Sequence, residues 1–80
     1  MKTKLILSTE TYSLEHWTDL PIIPRIKEWI RIPDFVSMGE LSNLKQSATC
    51  WSGEKGIVDV VEHRKSNEGN YTELLIWCED

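Results

Sequence analysis

Few side chains in this 80-residue chain have the chemistry for catalysis or metal binding: two cysteines, Cys50 and Cys78, and two histidines, His16 and His63, set among thirteen acids. Nucleophilic catalysis needs a Ser or Cys beside a His that an acid orients. The best candidate arrangement lies across a hairpin. Two β-rich runs, residues 57–63 and 71–78, flank the polar turn Asn67-Glu68-Gly69-Asn70, and β-branched runs around a Gly-bearing turn signal paired strands. With Gly69 in the left-handed bulge position of a three-residue loop, Val61 faces Leu75, Val60 faces Ile76 and His63 faces Glu73. A His–carboxylate pair of that kind is more often a surface contact of about a few tenths of a kcal/mol than a catalytic dyad.

The other reactive chemistries lack their spacing. Cys50 and Cys78 form neither a CxxC pair nor a disulfide framework, and no Cys or His pair has zinc-ligand spacing. There is no glycine-rich phosphate loop, G-x-S-x-G, H-E-x-x-H or acidic calcium loop. A chain of this size buries only about 60–65% of its unfolded surface, which leaves no room for a core and a deep cleft together. The expectation is a non-catalytic protein, residues 1–80 as a single domain, with no cofactor and no metal.

Charge and aromatic content point toward binding. The net charge is −4, with five Lys/Arg against four Asp/Glu in residues 1–33 and four against nine in 34–80. An acidic chain repels phosphate backbones and favours a basic partner or plain solubility. Four Trp are many for this length. A small core gains burial from large side chains; not all four are expected inside, with one or two standing as surface anchors. The first ten residues, MKTKLILSTE, hold too short an apolar run for a secretory segment, and nothing approaches a membrane span, so a cytoplasmic location is expected.

The elements that must position these residues read as follows. Residues 3–9 alternate as a strand with Leu5 and Leu7 on one side and Ile6 on the other, and 9–13 extend it as an exposed edge. Residues 14–20 read as loop with a turn of helix. Apolar positions 22, 23, 26, 29 and 30 span a helical stripe of about 120°, with Pro24 in the first turn and Pro33 as the stop; a strand over 28–32 competes. Ser37 and Glu40 form a capping box for a helix through Gln46, with Val36 and Leu41 as the hydrophobic staple and Met38, Leu41 and Leu44 as the buried stripe. Residues 47–51 read as a short strand, and 52–56 as a turn. The fold expected is α+β: a three- or four-stranded antiparallel sheet with a C-terminal β-hairpin and two short helices on one face.

On that hairpin, Val58, Val60, Leu74, Ile76 and Cys78 form a core face. Asp59, Val61, His63, Tyr71, Glu73, Leu75 and Trp77 form a mixed face, too apolar for water alone and too polar for a core. Its cover is expected to be the chain's own N-terminal strand, a second copy in a homodimer, or a protein partner with a basic surface. Tyr71, Leu75 and Trp77 are the candidate anchors, with Asp59, Glu62 and Glu73 as the acidic rim. By fold-level analogy with small acidic inhibitors and immunity-type factors, the function expected is a stoichiometric inhibitor or regulator.

The segment IKEWIRIPDFVSMGELSNL followed by a hairpin with Arg64-Lys65 near its tip resembles a winged-helix domain, with the hairpin as the wing. That resemblance implies nucleic-acid binding, with Arg64 and Lys65 touching phosphate. It departs at residues 45–56, where a recognition helix should stand but two Lys, no Arg and two Gly are found.

Overall fold

The computed structural model describes residues 2–80. Strand β1 (Lys2–Ser8) forms where the alternation places it, with Thr3, Leu5 and Leu7 fully buried on one side. Its continuation is a turn rather than a longer edge: the Thr9 N–H donates to the Tyr12 carbonyl at 2.8 Å. The chain folds back as β2 (Ser13–Asp19), antiparallel from Ser8↔Ser13 to Lys2↔Asp19. Residues 14–20, expected as loop with a turn of helix, are therefore mainly an edge strand.

The helix expected over 22–31 does not form. Pro21 and Pro24 lie four and one residues before the tight turn at Arg25–Glu28, and the chain then enters β3 (Trp29–Arg31), the competing strand. Hydrogen bonds from the Lys27 N–H to the Val58 carbonyl (2.7 Å) and from the Val58 N–H to the Glu28 carbonyl (2.9 Å) lead into this pairing. A sheet edge satisfies backbone groups that a two-turn helix would leave open at both ends. A single 3₁₀ turn (Ile32–Asp34) carries Pro33 and buries Ile32. Helix α1 (Met38–Ser47) starts on the expected capping box: the Glu40 N–H donates to Ser37 Oγ (3.2 Å) and the Ser37 N–H to Glu40 Oε1 (2.9 Å). Leu44 is buried and Leu41 packs against the core, but Met38 is 89% exposed and leaves the expected stripe. Residues 48–54 form no strand.

Strands β4 (Lys55–Ser66) and β5 (Gly69–Cys78) make the C-terminal hairpin. The five strands lie in the order β2-β1-β5-β4-β3, all neighbours antiparallel except β1 and β5, which run parallel in the middle. Strands make up 49% of the chain, and the sheet is a curled half-barrel with one α-helix. This replaces the expected three- or four-stranded antiparallel sheet with two helices. It also removes the N-terminal strand as a cover for the hairpin, because β1 pairs beside β5 within the sheet.

The hairpin register differs from expectation by one residue. Ser66 pairs with Gly69, whose φ is +125°, and Val61 then faces Leu74, Val60 faces Leu75 and His63 faces Thr72. At Asp59 the register shifts again, so that Val58 pairs with Ile76. That extra residue is a β-bulge, and it changes which side chains of β4 share a face on its two sides.

The core lies on one side of the sheet. Leu5, Leu7, Val58, Leu74 and Ile76 are fully buried, with Ile32, Leu44, Leu20 and Trp51 completing it. Full burial of each aliphatic side chain contributes roughly 1.5–3 kcal/mol before entropy is counted. Trp51 is the one core Trp, and its Nε1–H donates to the Lys55 carbonyl at 2.7 Å. No helix among the described residues is long and apolar enough to cross a membrane.

Gly56 sits where β3, β4 and β5 close on Ile32. A Cβ there would lie 2.8 Å from Ile76 Cγ2 and from the Trp77 carbonyl, and 2.9 Å from Ile32 Cδ1. Gly56→Ala is expected to destabilise the fold by about 1–3 kcal/mol through overpacking. Urea unfolding of the two proteins measures the difference.

Candidate functional site: the outer face of the sheet

Among the described residues, the side of the sheet away from the core carries no covering helix. Alternation fixes its membership once the core is set. The register places Lys4, Ile6 and Ser8 of β1 beside Glu73, Leu75 and Trp77 of β5, with Glu15 and Trp17 of β2 on one flank. On the other flank, the bulge at Asp59 brings Val60, Glu62 and Arg64 opposite Leu75, Glu73 and Tyr71. Beyond the bulge, Ile57 pairs with Trp77 and then with Trp29 of β3.

An apolar band results. Ile6, Leu75, Val60 and Ile57 are half-buried, while Trp17, Trp29 and Trp77 keep 49%, 48% and 40% of their surface exposed. Next to the band, Glu15, Lys4, Glu73, Arg64 and Glu62 alternate in sign. Lys4 Nζ lies 3.2 Å from Glu15 and 3.6 Å from Glu73; Arg64 Nη1 lies 3.7 Å from Glu73 and 3.1 Å from Glu62. Glu62 and Glu73 are direct cross-strand neighbours of like charge, an unfavourable pairing that the Arg64 guanidinium offsets. The Glu15 carboxylate, and then Glu73, hold the Lys4 ammonium above its ordinary pKa. Trp17 and Tyr71 pack with ring centroids 5.1 Å apart at 60°, and Lys2 and Lys4 hold Nζ 5.2 and 5.9 Å from the Trp17 ring. Tilted aromatic pairs and cation–π contacts of this type hold the rings in place.

The residues singled out in the hairpin divide accordingly. Tyr71, Glu73, Leu75 and Trp77 lie together on this face, joined by Glu62. Asp59 is exposed at the bulge, with no ion pair among the described residues. Val60, expected in the core, belongs to the outer face, whereas Val61 packs against the core. Glu73 is held between Lys4 and Arg64 and is not an open acid. Sequence reading missed Trp17, Ile6, Val60, Ile57 and Trp29. The alternation of Lys4-Ile6-Ser8 and of Glu15-Trp17-Asp19 was the signal for Ile6 and Trp17, legible only with β2 recognised as a strand.

The chemistry considered for the hairpin is not assembled. His63 and Glu73 lie on opposite sides of the sheet, and His63 Nδ1 instead sits 3.2 Å from Thr72 Oγ1. His16 Nδ1 lies 3.3 Å from Glu40 Oε2, tying β2 to the start of α1. Among the described residues no three His, Cys, Asp or Glu side chains converge for a metal. The winged-helix resemblance also ends here. Its first helix is a loop and β3, and residues 48–54 contain no recognition helix. Arg64 engages Glu62 and Glu73, and Lys65 is exposed opposite Asn70.

Two measurements check this placement. Cys50 is exposed, whereas Cys78 is 5% exposed and burial pushes its thiol up to about 12. A thiol-reactive chromophore at pH 8 should modify one cysteine in the native protein and the second only after unfolding. The Ser37 N–H donating to Glu40, aided by His16, holds the Glu40 carboxyl below its usual 4.5. A lowered folded-state value means that ionised Glu40 stabilises the fold above pH 4.5 and that this contribution is lost as pH falls through the lowered value. Glu40→Gln should therefore reduce stability at pH 7 and flatten its decline below pH 4.5, read from urea midpoints across that range. No family model, curated protein or solved structure matches this chain.

Proposed function

We propose that this protein is a non-catalytic protein-binding module, a stoichiometric inhibitor or regulator, whose outer sheet face docks on a partner protein. The carrying observation is an uncovered five-strand face on which three Trp stand 40–49% exposed beside half-buried aliphatic side chains. Five strands about 4.8 Å apart, at about 3.3 Å per residue, give a face of roughly 500 Å² in projection. Side-chain relief raises that toward the ~800 Å² per partner of a standard interface. The charges within the face are already neutralised by one another, so an apolar surface meets it without desolvating a lone ion. Asp59, exposed and without an ion pair among the described residues, and Glu62 at the margin suit basic groups at the rim of the partner. The net charge of −4 favours the same partner. Two free thiols fit a reducing, cytoplasmic setting.

Tyr71, Leu75 and Trp77 are the anchors in this reading, joined by Trp17 and Trp29. Trp77→Ala and Tyr71→Ala should each weaken the complex by about 2 kcal/mol, more than tenfold, with circular dichroism melts of the free variants separating this loss from the stability lost with contacts such as Trp17–Tyr71. The check is affinity capture with the full chain, followed by titration of the captured protein with each variant. A 1:1 complex weakened by both variants and by Asp59→Lys supports the reading. Retention independent of Trp77 and Tyr71, or a homodimer in sedimentation as the sole complex, contradicts it.

A further inference from the structure

A second surface, separate from the outer face, lies in the crossing between the two edges of the sheet. Residues 20–28 connect β2 to β3 at opposite ends of the strand order. The crossing is anchored at Leu20, which is buried, at Ile23, which packs against the core, and at the Lys27 N–H, which donates to the Val58 carbonyl. Between these anchors Ile22 is 81% exposed and Ile26 is 54% exposed. Such exposure is costly for two β-branched aliphatic side chains in one short segment. They share an open depression with Ile23, Pro24, Arg25, Lys27 and Glu28.

The backbone here is held in place. The Glu28 N–H donates to the Arg25 carbonyl at 3.1 Å and the Arg25 N–H donates back to Glu28 Oε1. Lys27, the third residue of that turn, has φ +74°, and no other non-glycine among the described residues has a positive φ. This is the position of a type II turn that glycine occupies at least cost. A lysine there holds a backbone conformation that residues with a Cβ rarely adopt. Arg25 and Lys27 form no ion pair among the described residues, and the Glu28 carboxylate is turned onto the Arg25 N–H. In a chain of net charge −4, this segment presents two unpaired cations beside two bare isoleucines.

We propose that this depression is a docking site for an acidic segment of a partner protein: one apolar side chain packs on Ile22 and Ile26, and flanking carboxylates pair with Arg25 and Lys27. The charge of the site selects the occupant, since a basic segment would be repelled and a neutral one would leave both cations unpaired. The inference is independent of the outer-face reading, because it uses other residues and a partner of opposite charge.

The test is selection of 12-residue random peptides on the immobilised full chain, followed by titration of the strongest synthetic peptide. Enriched sequences should carry an apolar residue flanked by at least two Asp or Glu. Arg25→Glu/Lys27→Glu should weaken that peptide at least tenfold, and Ile22→Ser should do so comparably. Lys27→Arg should retain it, and Trp77→Ala should leave it unchanged. Lys27→Gly relieves the backbone and should raise the melting temperature while weakening the peptide, which separates a binding lysine from a structural one. Enrichment of basic or uncharged peptides, no enrichment, or undiminished affinity of the charge-reversed variant overturns the proposal. So does binding of poly-uridylate or phosphatidylserine vesicles with the same dependence on Arg25 and Lys27 in place of the peptide.

Discussion

The parallel pairing of β1 with β5 is the contact on which the rest of the structure depends. Leu5 beside Leu74 and Leu7 beside Ile76 are all fully buried, so the two central strands carry the middle of the core between them. β2 hangs on the free side of β1, and β4 and β3 on the free side of β5. Because side chains alternate along a strand, fixing this inner face also fixes the outer one: Lys4 beside Glu73, Ile6 beside Leu75, Ser8 beside Trp77. The outer face is thus a geometric consequence of the pairing that builds the core.

The bulge at Asp59 performs the second step. On its Gly56 side, Val58 points into the core; on its far side, Val61 does, and Val60 joins the outer face. Without the extra residue, strict alternation from Val58 would turn Val60 inward and Val61 outward. The bulge therefore extends the outer apolar band across β4 and aligns Arg64 with both Glu62 and Glu73. A salt bridge with partial exposure adds little energy by itself. Here its consequence is placement, since it lets two carboxylates of like charge stand side by side next to the apolar band.

Local signals were legible in the sequence, and long-range ones were not. The capping box at Ser37–Glu40, the alternation of β1 and the positive φ at Gly69 rest on contacts between near neighbours. The apolar positions at 22, 23, 26, 29 and 30 fit a helix equally well, and pairing of Trp29–Arg31 with β4, a partner remote in sequence, decided for a strand. β2 was illegible because Ser13–Asp19 holds few β-branched or aliphatic residues and draws its strand form from β1. The faces of β5 were readable from alternation alone. Those of β4 were not, because nothing in Val58-Asp59-Val60-Val61 marks the position of a bulge. Trp77, Tyr71 and Leu75 were therefore visible from the outset as a half-face, and Trp17, Trp29, Ile6 and Val60 supply the other half.

The central claim is that this outer face stands uncovered in the free protein while a single Trp belongs to the core. Iodide quenching of tryptophan fluorescence at micromolar concentration tests it most directly, using Trp51→Phe beside a variant in which Trp17, Trp29 and Trp77 are replaced by Phe. Red-shifted, readily quenched emission is expected from the first protein and blue-shifted, protected emission from the second. Equal protection in both proteins would show that the face is already occupied, by this chain or by another copy, and would contradict the account.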